Sequence, residues 1–147
     1  MKRPWHLWVV AIAAFLWNAA GAFTIMMAQA GRLYDLEPGE RAYYAAQPVW
    51  FVILTDMSLV AAIAASIAML LRRRAAVQLF AFSFVAILIT NGYELSTGTS
   101  RMLATRAAFI VTIAIAVIAL FEVAYAWVMK QQHARLTGKR WHAVGRE

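Results

Sequence analysis

Two acidic side chains lie inside long, otherwise apolar runs of this 147-residue chain, where an ionised group is costly if the run crosses a membrane. Asp56 lies in the second run, about 9–12 Å from its beginning at 1.5 Å of rise per helical residue. Glu122 lies in the fourth run, about 12 Å from Lys130 at its end by the same count. The two carboxyl groups are therefore predicted at opposite depths, which disfavours a site shared by both.

Polar side chains of two other runs are predicted near the level of Asp56. They are Thr90 and Asn91 in the third run and Arg106 at the start of the fourth. We interpret this group as a polar cluster near the outer face that holds the helices together by hydrogen bonds or an ion pair. The alternative is a small-substrate or proton site open to the outside. In a third interpretation Asp56 merely snorkels or is protonated.

Glu122 shares one helical face with three neighbours at the three- and four-residue spacing: Ala119, Tyr125 and Ala126. Polar side chains of neighbouring runs are expected to meet it: Ser66, Gln78 or Ser83. Packing between helices is our interpretation of Glu122. If the carboxyl group points out of the bundle instead, it would mark a contact with another membrane subunit.

Asn18 lies near the middle of the first run, where an asparagine normally bonds to another helix and contributes about 0.6–2 kcal/mol. Small residues follow a spacing of four along the second run: Ser58, Ala62 and Ser66. A second stripe of this kind consists of Ala108, Thr112 and Ala116. Such stripes allow helices to approach closely, so we predict packing roles for Asn18 and for both stripes.

Asp56 and the stripe that begins at Ser58 lie on nearly opposite faces of one helix, because two residues turn a helix by about 200°. If one face looks into the bundle, the other looks out. A single four-helix chain then exposes either a carboxyl group or a small-residue groove. This motivates the hypothesis that the protein associates with itself or with a larger complex.

The elements that carry these residues are four apolar runs at residues 7–29, 49–71, 75–93 and 107–129 of a single domain, followed by a basic tail at 130–147. Hydrophobic residues make up 63% of the chain, against about 45–50% in soluble domains. Each run approaches the ~20 residues that a membrane-spanning helix needs. The predicted fold is all-α: a transmembrane four-helix bundle with a basic C-terminal extension.

The basic residues predict the orientation. Ten of the 14 lie at the two chain ends or between the second and third runs, and four lie on the other side. This bias places both termini in the cytoplasm and predicts contact with anionic lipid headgroups. A short extracytoplasmic helix is predicted after Pro38. A cleaved signal sequence is the alternative for the first run, but its apolar stretch is longer than the usual ~7–15 residues.

Three local patterns carry a resemblance to a known family. They are Leu16-Trp17-Asn18 with Gly21, Ala42-Tyr43-Tyr44 with Pro48 and Trp50, and Leu70-Leu71-Arg72-Arg73-Arg74 with Ala76. Together, over residues 5–130, they resemble uncharacterised four-span bacterial inner-membrane proteins of about this length, some of which carry the label "sugar transporter". The resemblance implies the four-span topology. It supplies no catalytic residues.

Several activities find no support in the sequence. There is no cysteine, and the three histidines lie outside the apolar runs, so a haem within the bilayer would lack ligands. No nucleophile–base pattern or phosphate-binding glycine loop occurs. We expect no enzymatic activity, cofactor, metal or nucleic-acid partner.

The expected function is association within the membrane, either as an accessory or assembly subunit of a larger complex or as a self-associating bundle. The alternative is a small transporter or permease-like protein with a polar path that involves Asp56, Asn91 and Asn18. Four spans rarely enclose a gated pathway alone. Residues 1–74 and 75–147 also lack the internal similarity that marks many carriers.

Overall fold

The computed structural model describes the backbone of residues 5–33, 36–99 and 106–144, and side-chain surroundings for 5–33, 36–99 and 110–131. The chain forms five α-helices in these ranges: α1 (Trp5–Gln29), α2 (Pro38–Ala45), α3 (Val49–Leu70), α4 (Ala75–Thr97) and α5 (Arg106–Val144). No strand occurs within the described ranges. The prediction of an all-helical fold is confirmed.

Four of these helices contain segments long and apolar enough to cross a membrane: α1, α3, α4 and the part of α5 from Ile110 to Gln131. The segments contain 22 to 25 residues, which corresponds to about 33–38 Å of helix and exceeds the ~30 Å hydrocarbon core of a bilayer. The chain is a multi-pass membrane protein. α4 continues to Thr97, four residues past the predicted end of the third run, and Gly98 in the left-handed conformation follows it.

Large apolar side chains cover the outside of the bundle. Val49 is 76% exposed, Ile110 64% and Phe23 63%. The buried positions are instead mostly alanine and serine. This is the reverse of a water-soluble domain, and it is the arrangement that lipid favours, because helices in a bilayer associate through close packing of small residues.

The helices pack in a fixed order: α1 lies against α3, α3 against α4, and α4 against α5. Small side chains at these contacts let the backbones approach. One buried cluster joins all four spans: Ala11, Ala65, Ala68, Met69, Ala76, Phe80 and Ala126. The core therefore lies near the end of the bundle where α3 turns into α4.

Three consecutive arginines, Arg72 to Arg74, form the exposed turn between α3 and α4, and we call this end of the bundle the basic end. The Arg73 amide donates to the Ala68 carbonyl (2.8 Å) and the Arg72 amide to the Met69 carbonyl (3.1 Å). These bonds form a Schellman motif, in which the residue that leaves the helix adopts the left-handed conformation. Glycine usually occupies that position, but here Arg72 does so, with φ 55°.

The opposite end carries the short helix α2, and we call it the α2 end. The Glu37 amide donates to the Glu40 carboxylate at 3.0 Å, which caps the first turn after Pro38. Tyr43 is the buried residue of α2. The short helix predicted from Pro38 is present; its position outside the cytoplasm stays a prediction.

Candidate functional site

A hydrogen bond between Asn18 and Glu122 joins the first and last helices inside the bundle. The Asn18 amide donates to the Glu122 carboxyl group, Nδ2 to Oε1, at 2.9 Å. Glu122 is only 5% exposed. Sequence reasoning predicted that Asn18 would bond to another helix, but it did not pair these two residues. Their estimated depths, about 17 Å and about 12 Å from the basic end of the bundle, are similar, but a single sequence does not show which helices are neighbours.

The second amide hydrogen of Asn18 is also used. Nδ2 lies 2.9 Å from the carbonyl oxygen of Ala14, one turn earlier in α1. Both hydrogens thus have acceptors, and this fixes the orientation of the amide toward Glu122. The amide acts as a neutral donor and brings no charge to the carboxyl group.

The serines expected near Glu122 are buried, but Gln78 is not. Ser66 is fully buried and donates to the Ala62 carbonyl at 2.9 Å, so its hydroxyl is used within its own helix. Ser83 is 4% exposed. Gln78 is exposed on α4. Glu122 receives its hydrogen bond from Asn18 instead of from these residues.

A second polar contact between the first and last helices lies toward the basic end. The Tyr125 hydroxyl and His6 Nδ1 are 2.9 Å apart, and the two rings meet edge to face. The Tyr125 ring also stacks on Phe121. His6 is exposed, so this contact connects the interior of α5 with the surface.

Asp56 lies on the outward side of α3. Its helical position is shared by Val49, Val60 and Ile67, which are 76%, 62% and 43% exposed. Asp56 itself is partly exposed, and its Oδ1 is covered by protein without a hydrogen-bond partner in the described part of the chain. A carboxyl group thus borders the apolar surface that faces lipid.

The polar cluster expected around Asp56 is not assembled in the described residues. Thr90 is buried, but its hydroxyl donates to the carbonyls of Ala86 and Ile87 in its own helix. Asn91 is partly buried, and no hydrogen bond joins it to Asp56. The side chain of Arg106 lies outside the described ones.

The small-residue stripe of α3 faces into the bundle. Ser58 is 3% exposed, Ala62 3% and Ser66 0%. The carboxyl group and the stripe thus occupy opposite sides of the helix, with the stripe inside. In the second stripe, Thr112 and Ala116 are partly buried, whereas the side chain of Ala108 lies outside the described ones.

Glu94 is a polar residue that sequence reasoning did not single out. The buried Tyr43 hydroxyl donates to its carboxylate and so connects α2 with the end of α4. Burial, above all, raises the pKa of Tyr43, and the bond to Glu94 adds to this. The pKa of Tyr44 is also raised, by burial first and then by the charges of Glu40 and Glu94. An acid at the end of an apolar run, opposite tyrosines in a loop, was the available signal.

Aromatic rings surround this contact at the α2 end. Trp50 meets Tyr93 edge to face at 4.9 Å between ring centroids, and Phe51 lies 5.8 Å from Tyr93. Such rings prefer the boundary between hydrocarbon and headgroups. They place the α2 end at a membrane surface.

The three acids within the spans share one property: Asp56, Glu94 and Glu122 form no ion pair with a basic residue among the described side chains. No group of three or more metal-binding side chains occurs there either. A cavity of about 270 Å³ lies at the basic end, lined by Trp8, Leu70, Leu71 and Arg72. It includes none of the predicted site residues.

Comparison of the chain with protein-family models, with curated proteins and with solved structures found no match. The resemblance to four-span bacterial proteins therefore stays an expectation, and the function of the chain is inferred from its own residues.

Proposed function

We propose that this multi-pass membrane protein is non-enzymatic and acts by helix association, with the outward face of α3 around Asp56 as its contact surface. The observation that carries the proposal is the partly exposed Asp56 carboxyl group, which has no hydrogen-bond partner among the described residues, on a face otherwise made of exposed apolar side chains. A polar group at that depth stabilises an association when a neighbouring helix supplies a hydrogen-bond donor.

The inward position of the small-residue stripe supports this choice of surface. Because Ser58, Ala62 and Ser66 are used in packing within the chain, they do not form a groove for a second protein. The outward side of α3 is left with Asp56 as its polar group. The same helix thus packs its own bundle with one side and offers the other.

The transporter alternative has less support. Its path would join Asn18, Asp56 and Asn91, but Asn18 is bonded to Glu122 and Asp56 lies on the opposite side of α3 from the interior. We therefore retain association. It takes one of two forms: an accessory or assembly subunit of a larger membrane complex, or a bundle that associates with itself.

The proposal also includes the membrane in which the protein lies and its orientation there. The protein lies in a bacterial inner membrane with both termini in the cytoplasm, where Arg72 to Arg74 contact anionic lipid headgroups. Its partners are lipid and another membrane protein or a second copy, and not nucleic acid.

Cysteine crosslinking in native membranes tests the proposed surface. The chain has no cysteine, so Ile53→Cys and Val60→Cys, which flank Asp56 on exposed positions, each introduce a single thiol. We expect both variants to form a crosslinked product. A product of twice the 16.4 kDa chain mass indicates self-association, and any other mass indicates a different subunit.

Phe23→Cys on α1 is the matched control. It is exposed and lies about 9 Å from the end of its span, a depth similar to that of Asp56 in α3. We expect no product from this variant, and we expect the α3 products to disappear when Asp56→Leu is added, because leucine offers no acceptor to a neighbouring helix. Equal crosslinking at all three positions, or none at Ile53→Cys and Val60→Cys, would contradict the proposed surface.

A further inference from the structure

Glu122 is the most completely enclosed acid among the residues that the structure describes, and the association proposed for α3 does not use it. At 5% exposure it lies between α1 and α5 within the hydrocarbon-spanning part of the bundle. An ionised carboxylate at such a place is expensive unless a cation or several donors compensate it.

The compensation found around Glu122 is small. Asn18 is the single hydrogen-bond donor to the carboxyl group among the described residues, and it reaches only Oε1. Because its other amide hydrogen goes to Ala14, Asn18 has no second hydrogen to give to Oε2. The second carboxyl oxygen of Glu122, Oε2, therefore has no hydrogen-bond donor among the described residues and can carry a proton.

None of the other titratable or charged groups on the described spans places a positive charge next to this oxygen. They are His6 on α1, Asp56 on α3, Tyr93 and Glu94 on α4, and Tyr125 and Lys130 on α5. Asp56 lies on the outward side of α3, and Glu94 is bonded to Tyr43 at the α2 end. Lys130 is exposed and eight residues further along α5.

Tyr125 and His6 continue from Glu122 toward the basic end. Tyr125 follows Glu122 by three residues, which places their Cβ atoms about 5–6 Å apart on one side of the helix. Its hydroxyl is hydrogen-bonded to His6, whose ring is exposed. No hydrogen bond joins Tyr125 to Glu122 among the described residues, so the Tyr125–His6 contact lies near the acid without satisfying it.

We propose that Glu122, oriented by Asn18, is a reversible proton-binding site enclosed in the bundle. Binding forms one O–H bond on Glu122 and breaks one O–H bond of hydronium, which leaves as water. One proton moves in total and no electrons are exchanged.

Infrared spectroscopy of the full chain in lipid discs tests the site, because a protonated carboxyl group has its own C=O stretching band. We expect a carboxylic-acid band that shifts when the five glutamates are labelled with ¹³C and that disappears in Glu122→Gln. Asp56→Asn and Glu94→Gln are the matched controls and should retain the band. Asn18→Leu should keep the band but move it to higher frequency, since one hydrogen bond is lost.

The label keeps the test decisive if Glu122→Gln does not fold. The measurement is made at about pH 6, where ordinary glutamates are ionised. In the unmodified protein, a carboxylic-acid band that fails to shift with labelled glutamate, or the absence of such a band at this pH, overturns the site. So does a band that survives at this pH in folded Glu122→Gln.

Discussion

The carboxyl groups of Asp56 and Glu122 differ in how the chain satisfies them. Glu122 is enclosed and has Asn18 as a donor. Asp56 has a covered oxygen with no donor. A buried polar atom without a partner costs about 1–3 kcal/mol, so Asp56 weakens the isolated chain. The carboxyl group is otherwise partly exposed, and a donor from outside the chain can reach it there.

Replacement of these acids by leucine separates the two cases. We expect Asp56→Leu to raise the free energy of unfolding of the isolated chain by about 1–3 kcal/mol, because an unpartnered polar atom is removed. Glu122→Leu should lower it by a similar amount, since it leaves an Asn18 hydrogen without an acceptor. Equilibrium unfolding in mixed detergent measures both. A destabilising Asp56→Leu would show that Asp56 is already satisfied within the chain.

The bond between Tyr43 and Glu94 predicts a dependence on pH at the α2 end. Burial raises the pKa of Tyr43 in the folded chain above its ordinary value of 10.0. The unfolded chain therefore loses the phenolic proton first, and the stability contributed by this group is complete below about pH 10 and is lost as the pH rises further.

Tyr43→Phe should reduce that dependence, leaving the part that Tyr44 contributes, and at neutral pH it should lower the free energy of unfolding by about 1–2 kcal/mol, since Glu94 loses its donor. Unfolding measured from pH 8 to 11 compares the two proteins. Tyr44→Phe is the control, because no hydrogen bond joins the Tyr44 hydroxyl to another described residue. An identical loss of stability at high pH in Tyr43→Phe would contradict the account.

At the scale of elements, two helices end with the same motif but different residues. α1 ends in a Schellman motif with Gly31 at φ 65°, and α3 ends in one with Arg72 at φ 55°. A side chain in the left-handed conformation costs about 1 kcal/mol. Arg72 thus carries a conformational cost that glycine would avoid. Its charge at the basic end gives a reason for its presence, because basic loops set membrane orientation.

Exchange of residues between the two motifs tests this explanation. Arg72→Gly should raise the free energy of unfolding by about 1 kcal/mol, and Gly31→Ala should lower it by about 1 kcal/mol. A Cβ atom at Gly31 would meet nothing within 4 Å, so the effect there is conformational alone. Opposite signs are expected in the same unfolding assay. A destabilising Arg72→Gly would indicate that the arginine side chain makes a stabilising contact.

The inward stripe of α3 sets the distance between helices. Ala62→Leu adds three carbon atoms to a position that is 3% exposed and should cost about 1–3 kcal/mol through overpacking. Val60→Leu, on the exposed side of the same helix, is the control and should change stability little. If both variants retain full stability, the packing between α3 and its neighbours is looser than the burial of Ala62 indicates.

At the scale of the whole molecule, the sequence predicted the four spans because long apolar runs and terminal charges leave few alternatives. It also placed Asp56 and the small stripe on opposite sides of α3, since helical geometry alone determines this. It could not pair Asn18 with Glu122 or Tyr43 with Glu94. Those contacts depend on which helices are neighbours and how they cross. The first pair is separated by 104 residues and the second by 51, and a single sequence carries no signal that such distant residues meet.

Basic and acidic side chains occupy different parts of the molecule. Apart from Lys130 near the end of the fourth span, the basic residues lie outside the candidate spans, whereas the acids within the spans have neutral partners or none among the described side chains. We therefore propose that the acid enclosed in the bundle binds a proton and that the acid on the outside bonds to a donor on a neighbouring helix. The two proposals are independent, because Asp56 and Glu122 lie on different helices and different sides of the bundle.

The mass of the particle extracted from native membranes in polymer discs tests association most directly. The unmodified protein should appear in an assembly larger than one 16.4 kDa chain, and Asp56→Leu should appear as the single chain although it is folded. A single chain for the unmodified protein, or an unchanged assembly for Asp56→Leu, would contradict the proposed role of α3.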